Sequence, residues 1–238
     1  MPELKYKRIL LKVSGEALAG DAHRGLDFTI VNELCESIKT CVDMGVQIGL
    51  VIGAGNFWRG VKDGADKMQR SHADSMGMLG TVMNAIAVAD ALNRHGMDAR
   101  VLSAVEMNKF AEYFTRDLAE RYLNEGKVVL FAAGTGNPYF STDTTITLRA
   151  IEMDADCILL AKSIDGVYDS DPKTNPNAVK YDEISIEEVV AKKLAAMDLT
   201  ASIMCMEQKM PMLVFALDEK DSIINAVHGK FVGTKVTV

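Results

Sequence analysis

The sequence predicts a three-layer α/β/α sandwich around a mainly parallel central sheet, and three observations predict it. Apolar runs of strand length alternate with segments of helical periodicity nearly from end to end. Several of those runs are continuously apolar, as in strands buried on both faces. Three of them end in glycine-rich turns: Leu11-Lys12-Val13-Ser14-Gly15-Glu16, Val51-Ile52-Gly53-Ala54-Gly55-Asn56 and Ala132-Ala133-Gly134-Thr135-Gly136-Asn137-Pro138. Open sheets of this kind bind ligands outside the carboxyl ends of their strands, which is where all three turns fall.

Taken in order, residues 7–13 read as an apolar strand. Residues 27–44 carry Ile30, Val31, Leu34, Ile38 and Val42 at helical spacing, with Gly45 as the stop. A buried strand follows at 46–52, a long helix at 71–95 and a strand at 99–102. Residues 110–124 read as a helix closed by Gly126, and 127–132 as another continuous apolar strand. Helix is expected at 144–153 and strand at 157–161. The remainder adds helices at 185–196, 200–209 and 221–228, and strands at 212–216 and 233–238. Residues 165–181, rich in Asp, Pro and Asn, are irregular and divide the chain into two lobes of one domain.

A chain of 238 residues with 48% hydrophobic content can bury a sizeable core. The net charge of −7 argues against a nucleic-acid polymer, which needs a broad basic face. It leaves room for a small phosphorylated ligand, which needs only a few local cations and backbone donors. No stretch reads as apolar for long enough to cross a bilayer, and the first residues lack a secretory signal, so a cytoplasmic protein with no membrane partner is expected. Cys35, Cys41, Cys157 and Cys205 are scattered without CxxC or a nearby His, which predicts reduced, mostly buried thiols.

Lys12 is the sharpest residue. A lysine within an apolar strand is costly to bury unless an anion compensates it, and Ser14-Gly15 turn the chain just beyond. Backbone N–H groups of glycine turns at strand ends cradle anions. GxxxxGK[ST] is absent, and Phe57-Trp58 stand where GxGxxG needs its last glycine, so neither a P-loop nor a dinucleotide fold is indicated. Arg59 follows the second turn and reads as a phosphate clamp or a solvated loop arginine. Asp74 reads as a ribose-hydroxyl acceptor or as an early-turn acid that suits the helix dipole. Residues 76–80 read as packing. Ser141 and Thr142 have N-capping chemistry, and Asp143 could organise Mg²⁺, its waters or the phosphate-binding lysine. Asp165-Gly166-Val167-Tyr168 departs from an EF-hand at Pro172 and suits an adenine or ribose platform better.

Together, residues 7–18, 53–60, 76–84, 133–143, 165–168 and 197–201 resemble the amino acid kinase family over nearly the whole chain. Within it they are most similar to the bacterial branch that phosphorylates UMP. The resemblance implies the fold of that family and transfer of the γ-phosphoryl of ATP to UMP, giving UDP and ADP in pyrimidine nucleotide biosynthesis. It implies Mg²⁺ brought with ATP and no tightly bound protein-ligated metal. The lobe at about 1–155 would take UMP and the lobe at about 156–238 would take ATP.

By the same resemblance Lys12, Asp143 and Asp198 are catalytic, with Asp198 orienting Lys12. ATP would meet Lys12, Val13, Ser14, Gly15, Gly55 and Arg59 at its phosphates, and Lys162, Tyr168 and Asp171 at its adenosine end. UMP would meet Ala54, Gly55 and Arg59 at its phosphate and Asp74 at its ribose. Thr135, Gly136, Asn137, Pro138, Tyr139, Phe140, Ser141 and Thr142 would wrap its uracil and return to the phosphate. The resemblance further implies a homohexamer activated by GTP and inhibited by UTP, as is typical of such enzymes. The loop Gly20, Asp21, Ala22, His23, Arg24 and Gly25, with Arg100 and Lys127, resembles the GTP-linked positions. Ala54 stands where a glycine is usual, and Ala89 and Asn93 replace an arginine and a histidine of some relatives. Two other readings remain open at this point: a carboxylate- or carbamate-phosphorylating relative, and a catalytically silent nucleotide binder.

Overall fold

A computed structural model describes residues 3–59, 67–230 and 233–238. Its strands are β1 (Arg8–Val13), β2 (Gln47–Ile52), β3 (Ala99–Ser103), β4 (Glu112–Tyr113), β5 (Val128–Ala132), β6 (Cys157–Lys162), β7 (Glu183–Ser185), β8 (Met212–Ala216) and β9 (Thr234–Thr237). Among the described residues they make one nine-stranded sheet in the order β4-β3-β5-β2-β1-β6-β8-β9-β7. Every pairing is parallel except β8 with β9. The helices are α1 (Phe28–Asp43), α2 (Arg70–Arg94), α3 (Arg116–Asn124), α4 (Thr142–Glu152), α5 (Ile186–Lys192), α6 (Leu199–Gln208) and α7 (Ser222–Val227), with a 3-10 segment at Ala17–Ala22.

The pleat of β1 sorts the core into two layers. Ile9, Leu11 and Val13 pack with Leu34 and Ile38 of α1, Val88 and Leu92 of α2 and Ile223 of α7. Leu10 packs on the other face with Tyr122 of α3, Ile146 and Ala150 of α4 and Cys205 of α6. Each fully buried Leu or Ile is worth about 1.5–3 kcal/mol over its exposed state, so the central strands anchor the fold. Helix starts are fixed by side-chain caps: Asp27 accepts from Thr29 N–H on α1, Thr115 from Leu118 N–H on α3, and Ser141 from Asp143 and Thr144 N–H on α4.

Three elements differ from the sequence reading. Residues 112–113 pair with β3 as a short edge strand, and the helix expected from 110 begins at Arg116, because Thr115 is extended and caps it. β7 forms only because the distant β9 pairs with it. The helix expected to reach 196 stops at Lys192, where Lys193 turns left-handed at φ 53° and closes the last turn.

The expectation that no stretch is apolar enough to cross a bilayer also needs correction. Helix α2 reaches a mean hydropathy of 1.3 over its best window, and half of that window is buried in the protein. It packs against α1, β2, β3 and β5, as a core helix does.

Candidate active site

Strand parity decides where Lys12 points. Successive side chains on a strand alternate between faces, so Lys12 shares the face of Leu10, on the side of α4. Its Nζ lies 2.6 Å from Asp143 Oδ1, with the two side chains 13% and 16% exposed. Asp143 stands in the first turn of α4, and its Oδ2 accepts from Asp198 N–H at 3.2 Å. Burial pushes the Asp143 carboxyl up, but the Lys12 and Lys162 ammoniums, with hydrogen bonds from Lys12 and Asp198, outweigh it and hold the group below the ordinary carboxylate value. Lys162, at the end of the neighbouring strand β6, is also lowered, which in its case disfavours the charge. Burial lowers its ammonium below the usual lysine range, opposed by Asp143 and reinforced by Lys12. Its Nζ donates to Ala196 O.

Asp198, expected to orient Lys12, makes its described side-chain contacts elsewhere. It caps α6 by accepting from Ala201 N–H at 2.9 Å, and it accepts from Ser141 Oγ and, at 3.3 Å, from Thr144 Oγ1. Its link to Lys12 runs through its backbone N–H and Asp143. Of the roles open to Asp143 in the sequence, holding the lysine is seen as a direct contact.

The first two glycine turns touch. A Cβ on Gly15 would lie 2.2 Å from Gly53 O and 2.4 Å from Asn56 Oδ1. Glu16 reaches across to ion-pair with Arg59, and a Cβ on Gly55 would stand 2.8 Å from Glu16 Oε1. The methyl of Ala54 faces α2, where a Cβ on Gly80 would come within 2.9 Å of it. Gly80 thus accommodates the extra methyl at this turn. Behind the turn, buried Asn56 and Asn84 bond to each other and to the Gly53 and Gly25 carbonyls.

The third turn is left-handed at Ala133, Gly134 and Gly136, with φ of 61°, 60° and 80°. Ala133 N–H donates to Thr81 Oγ1 at 2.9 Å, and Tyr139 N–H donates to Asp74 Oδ2 at 2.8 Å. Arg70 holds the same Asp74 carboxylate through Nε and lies over the Tyr139 ring, 5.6 Å from its centre. A cavity opens between this turn, the second turn and α2. Of the residues expected around UMP, Ala54, Asp74, Asn137, Phe140, Ser141 and Thr142 line it. Gly77, Met78, Thr81, Gly134 and Thr145 line it too and were missed. Residues 76–80, read as packing, therefore supply part of the cavity wall. The stretch stood out in sequence only as part of the family-like block 76–84, since a run of Met and Gly does not mark which helical face meets a loop.

Tyr168 and Asp171 lie in the segment after β6. The Tyr168 hydroxyl donates to Asp165 Oδ1 at 2.8 Å, and Asp171 Oδ1 accepts from Lys173 N–H at 2.9 Å. The residues expected at a GTP site fall into two places. Gly20 to Gly25 lie at the glycine-turn end, where Gly25 N–H donates to Asn56 O at 3.2 Å. Arg100 and Lys127 lie at the amino ends of β3 and β5, the first paired with Asp98 and the second with Glu125 and Asp98. The two sets thus lie at opposite ends of the strands, which for a strand of five residues are about 17 Å apart. Among the described residues no group of three His, Cys, Asp or Glu side chains is arranged to hold a metal ion.

A cation on a central strand, a caged carboxylate and three glycine turns meet at one end of a mainly parallel sheet, where open α/β folds bind their ligands. The profile of the amino acid kinase family matches residues 7–216, and the chain belongs to that family. Among solved structures, it is similar to the UMP kinase from Bacillus anthracis, at 34% identity over 98% of this chain and 96% of that one, with a TM-score of 0.93. The UMP kinase from Ureaplasma parvum is 35% identical over 99% and 100% of the two chains, at a TM-score of 0.92. The uridylate kinase from Archaeoglobus fulgidus is 25% identical over 96% and 99%, at 0.74.

Proposed function

We propose that this chain transfers the γ-phosphoryl of ATP to UMP, releasing UDP and ADP. The observation that carries the reading is similarity at 34–35% identity, over nearly full length, to two solved UMP kinases. An oxygen of the UMP phosphate attacks the γ-phosphorus in line, a new P–O bond forms, and the bond to the β-phosphate oxygen breaks with its electrons staying on ADP. The attacking group is already an anion and needs no strong base. The task is to place two anions together and to stabilise the spread negative charge between them. Lys12, held beside Asp143, meets the ATP phosphates. The N–H groups of the first two turns and Arg59 face the phosphates from the other side, and Asp74 receives the ribose. Mg²⁺, carried on ATP, supplies further neutralisation of the transferring group.

In this reading residues 1–155 serve UMP and 156–238 serve ATP, and the product feeds pyrimidine nucleotide synthesis in the cytoplasm. GTP activation and UTP inhibition belong to the same proposal. The wide separation of Gly25 from Arg100 and Lys127 means that a GTP site using both sets takes residues from two subunits. Exposed Met76, Leu79, Met83 and Ile86 along α2 offer an apolar stripe for assembly into a hexamer.

The test is ADP release with ATP, Mg²⁺ and, in turn, each nucleoside monophosphate and a set of carboxylate and carbamate acceptors, with and without GTP. Turnover with UMP is expected. Turnover only with a carboxylate or carbamate acceptor, or nucleotide binding without turnover, would refute the proposal.

A further inference from the structure

The second glycine turn is held from behind by a closed pair of amides. Asn84, on α2, is fully buried, and Asn56 is 3% exposed. Asn84 Nδ2 donates to Asn56 Oδ1 at 2.8 Å, and Asn56 Nδ2 returns a bond to Asn84 Oδ1 at 2.9 Å. The second proton of each amide goes to a backbone carbonyl: Asn84 to Gly53 O at 2.7 Å, and Asn56 to Gly25 O at 2.6 Å. Both donors of both amides are used, so the arrangement is complete and directional.

Its consequence lies in the next peptide. In a trans peptide the C=O and the following N–H point in opposite directions, and the described chain has no cis bond. Fixing the Gly53 carbonyl toward Asn84 therefore aims the Ala54 N–H away from that pair. The N–H groups of Ala54, Gly55 and Asn56 donate to no acceptor among the described residues. Packing alone would not need two buried polar side chains here, because an aliphatic residue at 84 would fill the space without desolvating an amide.

We propose that Asn84, with Asn56, is a positioning residue that presents these three N–H groups to the phosphate of the acceptor nucleotide. The inference rests on the UMP reading above. It assigns the pair to the phosphate end of the acceptor and to no other part of it, and this separates positioning from a general role in folding.

The experiment compares binding of UMP and of uridine by calorimetry or NMR titration in the wild type, Asn84→Ala, Asn56→Ala and the double variant. Each single variant is expected to weaken UMP about tenfold or more while uridine changes less than about twofold. The double variant is expected to lose about as much as either single one, because the two amides act as a unit. In turnover, KM for UMP rises and KM for ATP stays. Equal loss for UMP and uridine, additive losses, or unchanged UMP binding would each overturn the inference while leaving the acceptor assignment standing. A wild type that does not bind UMP removes the acceptor assignment and this inference together. Should the variants not fold, the wild type decides alone: the amide resonances of Ala54, Gly55 and Asn56 shift with UMP and not with uridine. Their silence while Thr81 and Gly77 respond to UMP would overturn it.

Discussion

Replacing Lys12 by alanine separates two consequences of one ion pair. Lys12 Nζ stands 2.6 Å from Asp143 Oδ1, and both side chains are largely shielded. Breaking a buried pair by removing one partner costs about 3–5 kcal/mol, since the other charge stays behind uncompensated. Here Lys162 remains as a second cation near Asp143, and some solvent reaches the pair, so about 2 kcal/mol is expected. At about 2–4 °C per kcal/mol for a chain of this size, melting falls by about 6 °C and the fold persists at room temperature. Turnover falls further, by about 100-fold or more, because the cation acts on charge that develops in transfer.

The pH dependence has a defined sign. The Asp143 carboxyl is held below its ordinary value, so its stabilisation is complete above the usual carboxylate range and disappears as pH falls through the lowered value. Without Lys12 the lowered value moves back up toward the ordinary one, so this contribution shrinks and stability falls less steeply with acid. Denaturation from pH 3 to 8, alongside ADP release, measures both. A variant with turnover within threefold of wild type would refute the electrostatic argument, and an unchanged acid limb would refute the pairing.

Gly15→Ala should lower turnover at least tenfold, because its methyl would meet Gly53 O at 2.2 Å and must push the first two turns apart; unchanged kinetics would show that the turns need not touch. Asp74→Asn should raise KM for UMP about tenfold with a smaller change in kcat, since it weakens the hold of Arg70 and Tyr139 N–H on the cavity wall, and steady-state kinetics read the split. The four buried cysteines should resist a thiol reagent until the chain unfolds: burial pushes Cys35 and Cys205 up to about 11 and Cys41 and Cys157 up to about 12. Rapid labelling of the native protein would contradict that burial.

The central strands were legible because burial on both faces writes itself as an unbroken apolar run, as in Leu50-Val51-Ile52 or Val128-Val129-Leu130. β4 and β7 were not, since short edge strands owe their existence to partners far along the chain and carry no pattern of their own. At the site, the glycine turns and Lys12 stood out by composition. Asn84, Thr81 and Glu16 did not, because each matters through the loop it reaches, and helical spacing alone does not say which loop a face will meet. Ala54 illustrates the same point. In sequence it stands out as a methyl where a glycine is usual, and Gly80 on a separate element leaves room for it.

The placement of β1 has a mechanical consequence. It is bonded along one edge to β2 through six residue pairs and along the other to β6 through five. β2, which leads into the second glycine turn, and β6, which ends at Lys162, are thus riveted to a shared central strand, each about 4.8 Å away. Such a sheet does not bend at that seam as a two-domain clamp would. The sheet serves as a ruler that keeps the ends of β2 and β6 at a constant separation.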